Sequence, residues 1–291
     1  MADRPETPER GLAERINLEY RKHYQMLLAE VMHKLKRDRF HEKDFQVDTL
    51  EVNVPGLDPL FEGYRIVQIT DIHLGHWVSP ERLAGVVDMV NQLEADVVAI
   101  TGDFVSYVFD PLRDAMIESF SRIQSKDANL AILGNHDHWL GAHLVRDVLR
   151  ESGVIELAND VYTIERQGAR LYIAGVDDIM MKADRLDLVL EKLPADGPAL
   201  LLAHEPDFAD TSAETGRFFL QLSGHSHGGQ IVWPGFGPLI RGPYFFKYPL
   251  GLYNVNGMLQ YTNRGIGTHV FRMRINCPPE ITLIILHPKT D

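Results

Sequence analysis

A single cysteine, Cys277, in 291 residues excludes an internal disulfide framework and any multi-cysteine zinc module. No run approaches roughly 18 consecutive apolar residues, so no segment reads as a bilayer-spanning helix. Basic residues fall short of acidic ones, 29 against 41, and a net charge of −12 argues against long duplex nucleic acid as a partner. Met1 to Arg10 lacks a basic segment leading into an apolar stretch, so no secretory signal is expected. With 45% hydrophobic and 24% charged residues the chain has the balance of a globular protein, and a soluble cytoplasmic location is expected.

One stretch lacks charge of one sign altogether. Residues 215–279 contain no Asp or Glu, although the chain's mean acidic frequency would place about nine there. They do carry Arg217, Arg241, Lys247, Arg264, Arg272 and Arg274. A local positive region in an acidic protein suits an anionic ligand. A core-heavy, sheet-rich segment with little room for charge would give the same composition.

What is present begins with an amphipathic helix. Leu12, Ile16, Tyr20, Tyr24, Leu27, Leu28, Val31 and Leu35 recur at three- and four-residue intervals. Such a stripe either packs on its own domain or, with basic flanks, lies on a membrane surface. From Asp44 onward short strands alternate with helices. Residues 45–52 alternate apolar and polar; 64–70, 95–101, 129–133, 170–176, 199–203 and 218–222 are apolar runs that read as strands. Ser79-Pro80 opens a helix, serine as N-cap and proline in the first turn. Further helices are expected around Leu144–Leu149 and Leu186–Leu193, and the tail (258–262, 281–286) reads as β. This grammar indicates a layered α/β domain with mixed sheets.

Five of these strands end in residues that a structural role does not require. Asp71-Ile72-His73, Gly102-Asp103, Gly134-Asn135-His136-Asp137, His204-Glu205 and Gly224-His225-Ser226-His227 each follow a strand, where ligands of α/β proteins bind. The one-residue spacing of Asp71/His73 and His225/His227 places each pair on one side of an extended backbone. Imidazole with carboxylate suits Mn, Fe or Zn. Asp71, His73, Asp103, Asn135, His204, His225 and His227 are too many for one open catalytic ion and suit two that share a carboxylate. Glycines 102, 134 and 224 fit turns drawn tightly around such a centre.

Together these motifs resemble the set of the calcineurin-like metallophosphoesterases, over about residues 45–287. GHSHGGQI (224–231) and the tail 262–282 look like the branch of bacterial phosphodiesterases that includes cell-wall phosphoesterases and UDP-2,3-diacylglucosamine hydrolases. This chain opens with an amphipathic helix where that branch would carry a transmembrane or export segment. The resemblance implies two mixed β-sheets packed face to face with helices outside. It implies residues 1–43 as a helical extension and 44–291 as the catalytic domain. It implies Asp71, His73 and His227 on one divalent ion, Asn135, His204 and His225 on a second, and Asp103 bridging. Water would attack phosphorus in line, His136 would protonate the leaving oxygen, and Asp137 would orient the His136 imidazole, a turn role being its alternative. His138, Arg241 and Arg264 are the candidates for contact with substrate.

The expected activity is hydrolysis of a phosphoester, with an amphiphilic or lipid-linked substrate at the inner face of a membrane. Residues 12–35 and the aromatic-rich loop 233–253 would make the membrane contact. A metal-dependent nuclease or nucleotide phosphodiesterase, and a non-catalytic scaffold on the same fold, are the alternatives.

Overall fold

The structure, a computed structural model, describes residues 12–268 and 273–289. The side chains of Leu12 and Ile16, and Arg272 altogether, lie outside the described residues. The chain enters as helix α1 (Leu12–Lys34) and strand β1 (Gln46–Val54). It continues through β2 (Tyr64–Ile69), α2 (Pro80–Gln92), β3 (Val97–Thr101), α3 (Arg113–Phe120) and β4 (Ala128–Ile132). Two short helices, α4 (Asn135–Leu140) and α5 (Ala142–Glu151), lead to β5 (Ile155–Glu156). The second half runs through β6 (Asp160–Arg166), β7 (Ala169–Gly175), α6 (Leu186–Lys192), β8 (Ala199–Leu202), α7 (Ala209–Glu214) and β9 (Leu220–Ser223). A hairpin, β10 (Val232–Trp233) with β11 (Gly237–Pro238), precedes β12 (Gly251–Val255), β13 (Met258–Thr262) and β14 (Glu280–Pro288).

Twelve of the strands form two six-stranded mixed sheets, in the orders β1-β14-β2-β3-β4-β5 and β12-β13-β9-β8-β7-β6. The period-2 side-chain alternation explains how they stack. Ile66, Val97, Ala99, Leu130 and Ile132 point from the first sheet to meet Leu171, Ile173, Leu200, Leu202 and Leu220 of the second. Their sequence neighbours Val67, Ile69, Val98 and Ile100 point the other way, onto Leu83, Val86, Val87 and Val90 of α2 and Met116 and Phe120 of α3. On the far side Tyr172, Ala174, Ala199 and Leu201 pack on Val189 of α6 and Ala209 and Ala213 of α7. The result is four layers: helix, sheet, sheet, helix. Strands buried on both faces explain the unbroken apolar runs.

The last strand is central. β14 lies parallel to β1 and antiparallel to β2, so the chain's C-terminal segment closes the first sheet from within. Ser79 caps α2 as expected, its hydroxyl accepting the Arg82 backbone N–H.

Two elements depart from the sequence reading. The stretch 233–253 is not loop throughout: it holds most of the β10–β11 hairpin and enters β12. Helix α1 docks through polar groups. Gln25, 2% exposed, accepts the Tyr107 backbone N–H and reaches the Leu74 carbonyl, while Arg21 donates to the Tyr107 hydroxyl at 2.6 Å. Tyr20, Tyr24, Leu27, Val31 and Leu35 of the apolar stripe are exposed. Amphipathicity gives a helix two faces but does not say which one docks.

Candidate metal centre

The carboxyl ends of strands from both sheets open on one edge of the sandwich. Asp71 follows β2, Asp103 follows β3, Asn135 opens α4 after β4, His204 follows β8 and His225 follows β9. Asp71, His73, Asp103, Asn135, His136, His204 and His227 are all buried there, with His225 half-buried.

The donors converge in overlapping sets: Asp71 with His73 and His227; His73 with Asp103 and His136; Asp71 with Asp103 and His204. In each set the ligand atoms lie within 4.8 Å of one another. Asp103 is the hub. Its Oδ2 lies 3.4 Å from Nε2 of both His73 and His204, and its Oδ1 accepts the His136 backbone N–H at 2.9 Å. Burial pushes the Asp103 carboxyl up, but the imidazoles of His204, His136 and His73 hold it well below the usual carboxylate range.

Second partners settle which ring nitrogen faces inward. His204 Nδ1 lies 2.7 Å from the Thr101 carbonyl, which can only accept, so Nδ1 carries the hydrogen and Nε2 presents a lone pair. His225 does the reverse: Nε2 lies 3.3 Å from the Pro243 carbonyl, leaving Nδ1 as the inward donor atom. Burial lowers the His225 pKa to about 4, so its ring is neutral, as a metal ligand must be. His73 Nδ1 lies 2.8 Å from the Ser106 hydroxyl. Ser106 and Pro243 carry no sequence signal for this role, since neither belongs to a motif.

Backbone strain gathers at the same place. Asp71, His73, Asp103, His225 and His227 all have φ between 45° and 66°, a left-handed conformation that costs a non-glycine residue roughly 1–3 kcal/mol. The sequence reading of Asp71/His73 and His225/His227 as pairs on extended backbone is therefore corrected. Each pair converges through left-handed kinks rather than strand alternation. Close approach also explains two glycines: a Cβ at Gly134 would collide with Asp103 Oδ1, and one at Gly224 with Asp71 Oδ2.

The residues beside the donors are placed differently from expectation. Asp137 does not meet the His136 ring through its carboxylate. That group accepts the backbone N–H groups of Asp103, Phe104, Val105 and Gly134 at 2.9–3.3 Å. Sitting at the third position of α4, it buckles the 103–105 loop to the helix start. His136 packs edge-on to His73 at 4.7 Å and against Trp139 at 4.6 Å between ring centroids. His138 is bonded to Asp177 at 2.7 Å. Arg264 pairs with Glu280 and Asp48, and Arg241 donates to the Phe246 carbonyl. None of these three lines the cavity over the donors.

That cavity, of about 250 Å³, has Asp103, Asn135, His136, His225 and His227 on its floor. Its wall is Trp139, Met180, Ile240, Pro243 and Phe245, and Phe245 lies edge-on to the His225 ring, 5.4 Å between centroids. Sequence reasoning missed Trp139 and Met180, which read as ordinary core residues.

Behind His204 sits a buried acid pair, Asp178 and Glu205. Glu205 accepts the Ile179 and Met180 backbone N–H groups and so fixes the loop that carries Met180 to the cavity. Burial and the neighbouring Glu205 push the Asp178 carboxyl up to about 10. An acid with a raised folded-state pKa stays protonated in the fold while the unfolded chain ionises, so its stabilising contribution is full below about pH 4 and declines as pH rises towards 10. Asp178→Asn should remove that slope, gaining on wild type by up to about 1.4 kcal/mol per pH unit across this window. Urea unfolding of both proteins at pH 5 and pH 8 checks this, and parallel pH profiles would refute it.

The donor set fits divalent metal. Asn135 Oδ1 and His204 Nε2 are buried with no hydrogen-bond partner among the described residues. Nε2 of His73 and His227 face each other 3.1 Å apart. Buried acceptors such as Asn135 Oδ1 and His204 Nε2 are costly away from water unless a cation collects them. A four-layer sandwich with such a centre at its strand ends is a metal-dependent hydrolase. The chain belongs to the calcineurin-like phosphoesterase family, whose model matches residues 64–229.

Among its relatives is the metallophosphoesterase YkuE of Bacillus subtilis, 33% identical over 230 residues, 78% of this chain and 80% of that protein. The phosphodiesterase YaeI of Escherichia coli is 26% identical over 226 residues, 77% of this chain and 82% of that one. A Danio rerio transmembrane protein with a metallophosphoesterase domain is 31% identical over 254 residues, 83% of this chain; the match spans only 57% of that protein. No helix among the described residues is long and apolar enough to cross a membrane.

Proposed function

We propose that the chain hydrolyses phosphodiesters in which one ester group is apolar, at a membrane surface, through two divalent ions. Asp71, His73 and His227 would hold one ion, Asn135, His204 and His225 the other, and Asp103 both. Bound there, Mn, Fe or Zn would lower the pKa of an attacking water and stabilise charge developing on the phosphoryl oxygens. The protein's own groups do the rest. Thr101 and Pro243 fix the rings of His204 and His225 in the tautomers that ligation needs, and Ser106 holds the His73 ring in place. His136, tethered to Asp103 through its backbone N–H, donates a proton to the leaving oxygen. Asp137 keeps the loops of Asp103 and His136 in register.

The observation that carries the substrate class is the cavity wall. Trp139, Met180, Ile240, Pro243 and Phe245 offer apolar surface, and no Lys or Arg among the described residues lines it. Among the described residues a monoester dianion finds no side-chain cation there, whereas the second alcohol of a diester gains by burying apolar area. Outside the cavity the β10–β11 hairpin exposes Trp233 (57%) and Phe236 (80%), side chains suited to a lipid interface.

Hydrolysis of mono- and diesters, nucleotides and dispersed lipid diesters, each with Mn, Fe and Zn, tests the reading. Diesters bearing an apolar group should exceed the matched monoesters by about 10–200-fold in kcat/KM, the range a hydrophobic pocket gives. Faster cleavage of nucleotides or DNA than of lipid-like diesters would replace it with the nuclease alternative.

A further inference from the structure

A second cleft, of about 630 Å³, lies where the end of α1 meets the tail leading to β14, and shares no lining residue with the metal cavity. Lys36, Arg37, Arg39, Arg82 and Arg274 line it, against one carboxylate, Asp44, which lies 3.9 Å from Arg82. In a chain of net charge −12 this is a strong local reversal of sign.

The five cations are of two kinds. Arg82 is buried, stacked 3.8 Å over the Trp77 ring, and donates to the Arg39 and Trp77 carbonyls. Arg274 donates to the carbonyls of Arg264, Gly265, Gly267 and Cys277, which carry no net charge, and has no ion pair among the described residues. These two build a fixed positive floor. Lys36, Arg37 and Arg39 are exposed at the rim, and their side chains make no hydrogen bond or ion pair among the described residues. A floor whose guanidinium charge is only partly offset, beneath three unpaired cationic arms, is the arrangement that binds a compact oxyanion.

The surroundings point to where that anion comes from. Met32 lines the cleft, and the exposed Leu27, Val31 and Leu35 lead along α1 to its rim. An apolar helix face ending in a cluster of cations is complementary to an anionic lipid layer. We propose that this cleft is a second anion site, outside the metal centre, that takes a phosphate headgroup. Only the lipid origin of that phosphate rests on the membrane part of the proposed function.

The full-length, metal-loaded chain is compared with Lys36→Glu/Arg37→Glu/Arg39→Glu, three exposed positions that do not line the metal cavity. Inorganic phosphate followed by calorimetry should show one more site per chain in wild type than in the variant, the site common to both being the metal centre. Co-sedimentation with vesicles of phosphatidylglycerol and phosphatidylcholine should fall by about tenfold or more in the variant, while vesicles of phosphatidylcholine alone bind neither protein tightly. Hydrolysis of a soluble diester should be equal in the two, which keeps failure of the catalytic reading distinct from failure of this one. A phosphate difference without a vesicle difference assigns the site to free phosphate. Equal phosphate binding and equal vesicle binding by variant and wild type overturn the proposal.

Discussion

Protein purified without chelator should carry about two divalent metal ions per chain, and Asp103→Asn should abolish most of its hydrolysis. The expected loss is roughly 10³-fold, the upper end of what removal of one electrostatic stabiliser costs. The reason lies in the position of this carboxylate. Its Oδ2 lies 3.4 Å from the ring nitrogens of both His73 and His204, which places it between the two halves of the donor set. Asparagine keeps the shape and the Oδ1 contact to the His136 backbone but removes the charge that draws three imidazoles together. Elemental analysis of the variant should therefore find fewer ions as well as lower activity. His225→Ala, a donor to one ion only in the proposed assignment, should reduce metal content less. Undiminished hydrolysis by Asp103→Asn would remove the two-metal reading.

The architecture was legible where burial on both faces left no room for polar residues. Residues 64–70, 95–101 and 199–203 read as strands because each is apolar without interruption, and the polar residues just beyond stood out against that background. The donor types at strand ends followed from chemistry alone. Three things were not legible, each for a physical reason. Left-handed backbone at Asp71, His73, Asp103, His225 and His227 leaves no trace, because these are not glycines; tertiary contacts impose the strain. An acid following a histidine reads as its catalytic partner, whereas in the fold the Asp137 carboxylate is occupied by four backbone N–H groups that come from distant turns of the chain as well as its own. The docking face of α1 was undetermined because one buried glutamine, Gln25, with Arg21 beside it, anchors the helix while the apolar stripe stays outside. Pattern reports what a residue could do; partners decide what it does.

His136→Ala separates chemistry from metal binding. The side chain lines the cavity beside the donors, packed between His73 and Trp139, and its anchoring to Asp103 runs through the backbone, so removing the ring leaves that tether in place. The variant should keep about two ions per chain yet lose roughly 10²–10⁴-fold in kcat on diesters with poorly acidic leaving alcohols, the range for a general acid. The loss should shrink towards nothing with nitrophenyl esters, whose leaving oxygen needs little protonation. Because His136 also stands within the same 4.8 Å set as His73 and Asp103, metal analysis is the necessary companion measurement. A variant that retains its metals and loses activity equally on good and poor leaving groups would show that His136 binds the phosphoryl group and does not deliver the proton. A variant that loses an ion would make it a ligand. Only a loss that grades with leaving-group pKa, at unchanged metal content, assigns it the acid's role, since proton delivery is the one function whose importance depends on how badly the departing oxygen needs it.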